Sequence, residues 1–221
     1  STNYLVIANI SLKLKGESKF GSIISLNSKE IDDTAIVRGK GDFVGINLAT
    51  VLECYPGTNN ISIKYKYSGE DFEMTNAEDN GKFTQNMSAI QLPQRSTVQT
   101  FKPSGTISFN SGSWMPFNIR AKIECSADTD YLILFHVNVK VNGALFGVRI
   151  KVNGKTSFKS TLFKVKNEEY ASHQGYFIKK LKKGSYEFDL EYYTDSNLIF
   201  DPVSEKTDKQ SINLKLINFP N

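Results

Sequence analysis

Apolar and polar residues alternate with a period of two along most of this chain. In residues 61–67 and 186–192 every second position is apolar. This period predicts β-strands that turn one face toward a core, because successive side chains of a strand point to opposite faces of the sheet. Pro56-Gly57, Asn142-Gly143 and Asn153-Gly154 interrupt the alternation and predict tight turns. The pattern therefore predicts an all-β protein.

The chain also aligns with itself. Residues 3–7 match residues 130–134 in side-chain type, at an offset of 127 positions (131 − 4 for the shared tyrosine). The same offset relates Gly57 to Gly184, Tyr65 to Tyr192 and Pro93 to Pro220, and an offset of 126 relates Phe20-Gly21 to Phe146-Gly147. Solenoid and propeller repeats are much shorter than this, so the self-match indicates two copies of a whole domain.

These two patterns together predict two tandem antiparallel β-sandwich domains that are jelly-roll-like. The first copy is predicted to span residues 1–93 and the second residues 104–221. A linker is predicted at residues 94–103, where Pro93 and Pro103 bracket a polar segment. Residues 106–109 and 117–123 also alternate, which predicts two strands without an equivalent in the first copy.

Charge and hydropathy narrow the classes of function. The chain has 27 Lys and Arg residues and 23 Asp and Glu residues, a net charge of +4 that is spread along its length. This excess is too weak to indicate nucleic-acid binding. No apolar run approaches the roughly 20 residues of a membrane-spanning helix, so no transmembrane segment is expected in this chain.

Residues suited to catalysis are few. The two histidines are His136, within a predicted strand, and His173, in a predicted loop, and no zinc-hydrolase or serine-hydrolase motif is present. We therefore expect no catalytic residue, no cofactor and no metal site. Two interpretations stay open: carboxylates distant in sequence could hydrolyse a glycosidic bond, and residues 76–81 gather oxygen ligands, although a polar hairpin tip explains them more simply.

Four lysines provide the densest positive charge of the chain: Lys179, Lys180, Lys182 and Lys183. Together they would attract a sulfated glycan or an acidic membrane surface, and they are the candidate binding patch. Lysines also protect the edges of sheets from aggregation. Both interpretations stay open at this point.

Two cysteines and three sequons bear on the compartment. Cys54 and Cys125 permit one disulfide, which would join the two copies. Cys54 aligns with the apolar Leu181, so a pair of buried thiols is the equal alternative. Sequons at Asn9, Asn60 and Asn86 are candidate N-glycosylation sites and are typical of secreted proteins.

The second copy resembles the C1q/TNF-like jelly-roll family, including its phage tail-type relatives. The resemblance lies in residues 131–134, 148–155 and 181–192. Family members often carry R-x-x-x-D-G and L-x-x-G-x-H; here Asn153 replaces the Asp and Tyr186 replaces the His. The resemblance implies a fold and leaves the activity open.

We expect from these observations a secreted or cell-surface, non-enzymatic binding or adhesion protein. Rigid sheets hold loops in fixed positions, and two domains offer two contact areas for a protein or glycan partner. An oligomer, or a complex with other surface proteins, fits the same pattern. The alternative is a structural, self-assembling component of a surface or virion-like assembly. A carbohydrate-active enzyme comes third.

Overall fold

The computed structural model describes residues 1–14, 17–40, 43–69, 72–73, 85–104, 107, 112–141, 145–165, 169–195, 198–199 and 211–219. All regular secondary structure in these ranges is β-strand. The chain divides into two compact units, Ser1–Leu92 (unit 1) and Pro93–Asn221 (unit 2). The prediction of an all-β protein with two tandem antiparallel β-sandwich domains is confirmed.

Unit 1 pairs its strands in two antiparallel sheets. Its strands are β1 (Thr2–Leu14), β2 (Glu17–Leu26), β3 (Lys29–Lys40), β4 (Phe43–Cys54), β5 (Ile61–Ser68), β6 (Phe72–Glu73) and β7 (Gln85–Gln91). In the first sheet, β1 pairs with β4, β6 and β7, and in the second the order is β3-β2-β5.

Unit 2 has two five-stranded antiparallel sheets. Its strands are β8 (Thr97–Phe101), β9 (Ser113–Cys125), β10 (Thr129–Val141), β11 (Leu145–Val152), β12 (Lys155–Lys159), β13 (Phe163–Lys164), β14 (Glu169–Leu181), β15 (Gly184–Thr194), β16 (Leu198–Ile199) and β17 (Ser211–Phe219). One sheet has the order β14-β10-β17-β8, with β16 on β10, and the other has the order β12-β11-β15-β9, with β13 on β11.

A separate apolar core fills each unit. Alternate residues of the long strands supply it, as the period of two predicts. The core of unit 1 consists of Val6, Ala8, Ile10, Leu12, Phe20, Ile24, Ile46, Leu48, Leu52 and Cys54. Unit 2 has a larger core, which includes the buried aromatic rings of Phe117, Phe135, Phe146, Phe188 and Tyr192.

The two units share one pattern of strand pairing. Strands β1, β2, β4, β5 and β7 pair with one another as β10, β11, β14, β15 and β17 do. The register is the same as well: Tyr4 lies opposite Gln91, and Tyr131 lies opposite Asn218. Both members of the second pair follow those of the first by 127 positions, as the sequence repeat predicts.

The same hairpin turn occurs in both units, at Asn27 in unit 1 and at Asn153 in unit 2. The Asn27 backbone N–H donates to the Asn60 carbonyl (2.8 Å), and the Asn27 side-chain oxygen accepts from the Asn60 N–H (2.9 Å). Asn153 makes the same two bonds with Glu187, each 2.8 Å long. Both asparagines have positive φ, 50° and 49°, a conformation that Asn tolerates better than most residues. The turn predicted at Asn153-Gly154 is confirmed.

The structure differs from the sequence-based expectation at two segments. Residues 97–101, predicted as part of a linker, form β8 and pair with β17. An edge strand is held mainly by backbone hydrogen bonds, so a polar segment can form one without a strong apolar pattern. His173, predicted in a loop, lies in β14 opposite Val137. The strand predicted at 106–109 lies outside the described residues except for Ile107, which is buried in the unit 2 core.

Candidate interaction surfaces

Strand β7 of unit 1 is exposed along its whole length. All seven of its residues are exposed, and Met87 and Ile90 expose 41% and 51% of their surface. Among the described strands β7 pairs only with β1. Its equivalent in unit 2, β17, pairs with β10 on one side and β8 on the other. Strand β17 is also largely buried, so the two units differ sharply at this position.

The equivalent strands β5 and β15 also differ in exposure. Tyr65 of β5 and Tyr192 of β15 are equivalent positions, yet Tyr65 is 57% exposed and Tyr192 is 0% exposed. The ring of Tyr192 packs against Phe117 of β9, with ring centroids 4.7 Å apart. Strand β15 pairs with β11 and β9, whereas β5 pairs only with β2 among the described strands. Unit 1 therefore lacks, within its described residues, equivalents of both β8 and β9.

A cleft of about 570 Å³ opens into unit 1 beside these strands. Its lining includes Tyr4, Cys54, Gly57, Ile61 and Ala89. These residues come from β1, β4, the start of β5 and β7, so the cleft lies between the two sheets of the unit. The sequence does not predict the exposed side of unit 1 or the cleft, because both depend on how the strands pack.

The four lysines of the candidate binding patch do not converge on one face. Lys179 and Lys180 are neighbours on β14 and so point to opposite sides of the sheet, and Lys179 Nζ donates to Ser157 Oγ (3.2 Å). Lys182 and Lys183 lie exposed in the turn after the strand. Strand β14 is at the edge of its sheet, so this arrangement favours edge protection over a single binding patch.

A charged network lies on the β11–β15 sheet of unit 2. Glu191 is nearly buried and accepts from Arg149 Nε (2.5 Å) and from Lys151 Nζ (2.8 Å). The Arg149 guanidinium lies 4.6 Å from the centre of the Trp114 ring, a cation–π distance. Burial raises the pKa of the nearby Asp189, and the like charges of its neighbours raise that pKa further. Glu191 thus pairs with two cations at once, an arrangement that stabilises the sheet.

Both cysteines are free and buried, so the disulfide considered from the sequence is not formed. Burial raises the pKa of each thiol. Cys125 also hydrogen-bonds to the Tyr131 side chain. The two-thiol alternative is the one that the structure supports, because an apolar strand position buries a cysteine as readily as a leucine.

The sequons lie on strands or beside them. Asn9 and Asn86 face each other across β1 and β7, and Asn9 Nδ2 donates to Asn86 Oδ1 (2.8 Å). Asn60 is exposed just before β5. Glycosylation at these sites stays a prediction.

His173 is a half-buried titratable group of unit 2. Its ring packs between Phe135 and Phe163, at centroid distances of 5.5 and 5.7 Å, and its Nε2 atom has no hydrogen-bond partner. Burial lowers its pKa from the ordinary value of 6.5, because the charged imidazolium is disfavoured away from water.

We expect His173 to make unit 2 less stable in acid. As the pH falls below 6.5, the unfolded chain binds a proton at this histidine that the folded state does not bind, so the free energy of unfolding decreases. His173→Phe should remove this part of the pH dependence while keeping the ring contacts. Urea unfolding followed by Trp114 fluorescence, above and below pH 6.5, measures it. Parallel pH profiles for the two proteins would contradict the expectation.

Among the described residues, no group of three or more His, Cys, Asp and Glu side chains is placed to hold a metal ion. No helix there is long and apolar enough to cross a membrane. Residues 76–81, the oxygen-rich loop, lie outside the described residues.

Comparison with known proteins finds similarity only among solved structures. No protein-family model matches the chain, and no curated protein matches it. T=1 particles derived from infectious bursal virus give a TM-score of 0.38 at 10% identity, covering 100% of this chain and 57% of theirs. The T13 viral particle of the same virus gives 0.37 at 11% identity, with coverage of 100% and 57%. These values do not assign the chain to a family.

A VP2 subviral particle of infectious bursal disease virus is also similar, with a TM-score of 0.32 at 10% identity, covering 99% of this chain and 55% of that one. The chain thus spans little more than half the length of these viral proteins. The resemblance to the C1q/TNF-like family stays a prediction, and the β-sandwich architecture is what the structure supports.

Proposed function

We propose that this chain is a non-enzymatic structural protein that assembles with further copies of itself, with β7 as the contact strand. The observation that carries the proposal is the exposure of every residue of β7, beside the burial of its equivalent β17. An exposed strand edge presents unpaired N–H and C=O groups, which can pair with a strand of another chain.

The composition of β7 supports a contact role over that of an ordinary edge. Edge strands are usually guarded by charged residues, proline or a bulge. Strand β7 has the sequence QNMSAIQ, without charge or proline, and its register with β1 is continuous. The edge strand β14 of unit 2 instead carries Lys179 and Lys180. Strand β7 therefore lacks the charge that the edge strand β14 carries.

A second copy of the chain is the occupant that β7 fits best. A twofold axis brings a strand antiparallel to itself, and such a contact uses the same surface on both copies. Antiparallel pairing centred on Ser88 sets Met87 opposite Ala89 and Asn86 opposite Ile90, so no like charges meet. The β5 edge carries Lys64 and Lys66, which would repel each other in the same arrangement.

The proposal also bears on location. We also propose a secreted or cell-surface location, which the sequons support. Asn86 lies within β7, so a glycan there would cover the proposed contact. The assembling form should therefore have Asn86 unmodified, which intact-mass analysis of material from a secretory host can test.

Sedimentation velocity at micromolar concentration tests the assembly. We expect the full chain to form dimers or larger species, and Ser88→Lys/Ile90→Lys to be monomeric. The lysines introduced at position 88 would lie directly opposite each other in the two copies, and those at position 90 would add like charge beside them. Both positions are exposed, so the fold should tolerate them.

The matched control is Tyr176→Lys/Ile178→Lys. It adds two lysines at the same spacing to one face of the edge strand β14, at side chains that are 51% and 65% exposed. We expect this variant to assemble as the unchanged chain does. A monomeric unchanged chain, or a β7 variant that still assembles, would overturn the proposal.

A further inference from the structure

The outer face of one sheet of unit 2 carries an excess of positive charge. The sheet is β12-β11-β15-β9, and its other face supplies Val148 and Ile150 to the core. Residues that pair across the four strands form two outward-facing rows, which are Lys159, Arg149, Glu191 and Pro116 in the first and Thr156, Lys151, Asp189 and Arg120 in the second. We call these two rows the basic face. Each row contains two cations and one carboxylate, so the basic face has a formal charge of +2.

Two of these cations lie against the same aromatic ring. The guanidinium carbon of Arg149 lies 4.6 Å from the centre of the Trp114 ring, and Lys159 Nζ lies 5.5 Å from it. Tyr193 packs on the same ring, with ring centroids 5.7 Å apart. A cation–π contact holds a cation in place without neutralising its charge. The Trp114 ring therefore gathers two positive groups that still attract an anion.

Both cations can be reached by a ligand. Lys159 is exposed, and the Arg149 side chain exposes 19% of its surface. The contact of Arg149 with Glu191 uses the Nε atom, and no described hydrogen bond uses the terminal amino groups of the guanidinium. Such groups donate well to the oxygens of a sulfate, a phosphate or a carboxylate.

The fold does not require this arrangement, because unit 1 forms the equivalent strands without it. Strands β2 and β5 pair as β11 and β15 do, and the positions equivalent to Arg149 and Glu191 are Ile23 and Lys64. Ile23 is a buried apolar residue. The paired arginine and glutamate are thus a property of unit 2, which favours a role beyond forming the sheet.

We infer that the basic face of unit 2 binds a sulfated polysaccharide. Sulfate groups are anionic and accept the hydrogen bonds that Arg and Lys donate, so they complement the excess of positive charge. Small molecules bind in concave pockets, whereas an extended polymer can lie along an open sheet face. The basic face contains no residue of β7, so the inference does not depend on self-assembly.

Other polyanions fit the basic face less well. An acidic peptide could not add a strand here, because β11 and β15 are each paired on both sides. A nucleic acid base would lack a stacking platform, since two cations and Tyr193 already pack on Trp114. The ligand is therefore held through its anionic groups, which a sulfated chain presents at high density.

Titration of the full chain with a sulfated heparin octasaccharide tests the inference. Trp114 is the single tryptophan, so its fluorescence reports binding at the basic face, and calorimetry measures the affinity independently. The comparison probes are the desulfated octasaccharide, a glutamate peptide and a single-stranded DNA, the last two with the same number of charges as the sulfated probe. We expect the sulfated octasaccharide to bind at least about tenfold more tightly than each of the others, and more weakly as salt is added.

Lys159→Glu should weaken binding of the sulfated octasaccharide at least about tenfold, because it places an anion beside Arg149. The matched control is Lys183→Glu, in the turn after β14. Both lysines are exposed, so both variants should fold, and both change the net charge of the chain equally. A general attraction to the whole protein would fall equally in the two variants. We expect Lys183→Glu to change the affinity by less than about twofold.

Acetylation of lysines, read by mass spectrometry, locates the bound octasaccharide. It should protect Lys159 and Lys151 from the reagent and leave Lys182 and Lys183 reactive. The inference is overturned if the sulfated octasaccharide does not bind, if Lys159→Glu and Lys183→Glu weaken binding equally, or if the glutamate peptide or the DNA binds as tightly as the sulfated probe.

Discussion

Tyr192→Ala should lower the free energy of unfolding of unit 2 by about 3–5 kcal/mol, the usual cost of removing a buried aromatic ring. Tyr192 is fully buried, and its ring packs on Phe117. Burial also raises the pKa of its hydroxyl to about 12. Removing the ring leaves a cavity in the core of unit 2 that rigid sheets cannot close. Urea unfolding followed by fluorescence measures the loss, because Trp114, the single tryptophan, lies in this unit.

The matched substitution in unit 1 is Tyr65→Ala. It removes the same side chain at the equivalent position, yet we expect it to cost less than about 1 kcal/mol. Tyr65 is 57% exposed, and its described ring contact is a stack on Phe20 with centroids 5.6 Å apart. Far-UV circular dichroism and hydrogen exchange of the unit 1 amides measure this change. Equal costs at the two tyrosines would contradict the contrast between a buried tyrosine and an exposed one.

Glu191→Gln should destabilise unit 2 by about 2 kcal/mol. The change removes the single anion between Arg149 and Lys151, which are left as two neighbouring cations. Breaking a fully buried ion pair costs more, but the side chains of Arg149 and Lys151 expose 19% and 26% of their surface and can reach water. Chemical unfolding followed by circular dichroism measures the effect without relying on Trp114, which contacts Arg149.

The control for this prediction is Glu187→Gln on the same strand. Glu187 lies 3.9 Å from Lys122, and the two side chains are 38% and 74% exposed. Exposed pairs of this kind contribute from zero to about 1 kcal/mol, so little change is expected. If the two substitutions cost the same, the network around Glu191 does not contribute to stability in the way proposed.

Much of the architecture could be predicted from the residues in order along the chain. A period of two is a local property of a strand, so alternation at residues 61–67 and 186–192 suffices to predict strands. The repeat extends this to topology, since equivalent segments that fold in the same way pair in the same way. The turn at Asn153-Gly154 follows from the residue types as well, whereas the matching turn at Asn27 was found only in the structure.

The candidate surfaces could be predicted only in part. The four lysines are adjacent in sequence, but adjacent residues of a strand point to opposite faces, so Lys179 and Lys180 separate. The polar segment at residues 97–101 resembles a linker, because an edge strand needs few apolar residues. His173 could not be placed, since its burial depends on Phe135 and Phe163 from other strands.

Local pattern therefore accounts for the strands, the turns, the duplication and the scarcity of catalytic motifs. Whether an apolar side chain is buried depends on how the sheets pack. Tyr65 and Tyr192 occupy equivalent positions in the same alternating pattern, yet the first is exposed and the second is buried. Burial depends on which strand lies alongside, and that strand comes from a distant part of the chain. In unit 2 it is β9, and in unit 1 a cleft lies at the corresponding place.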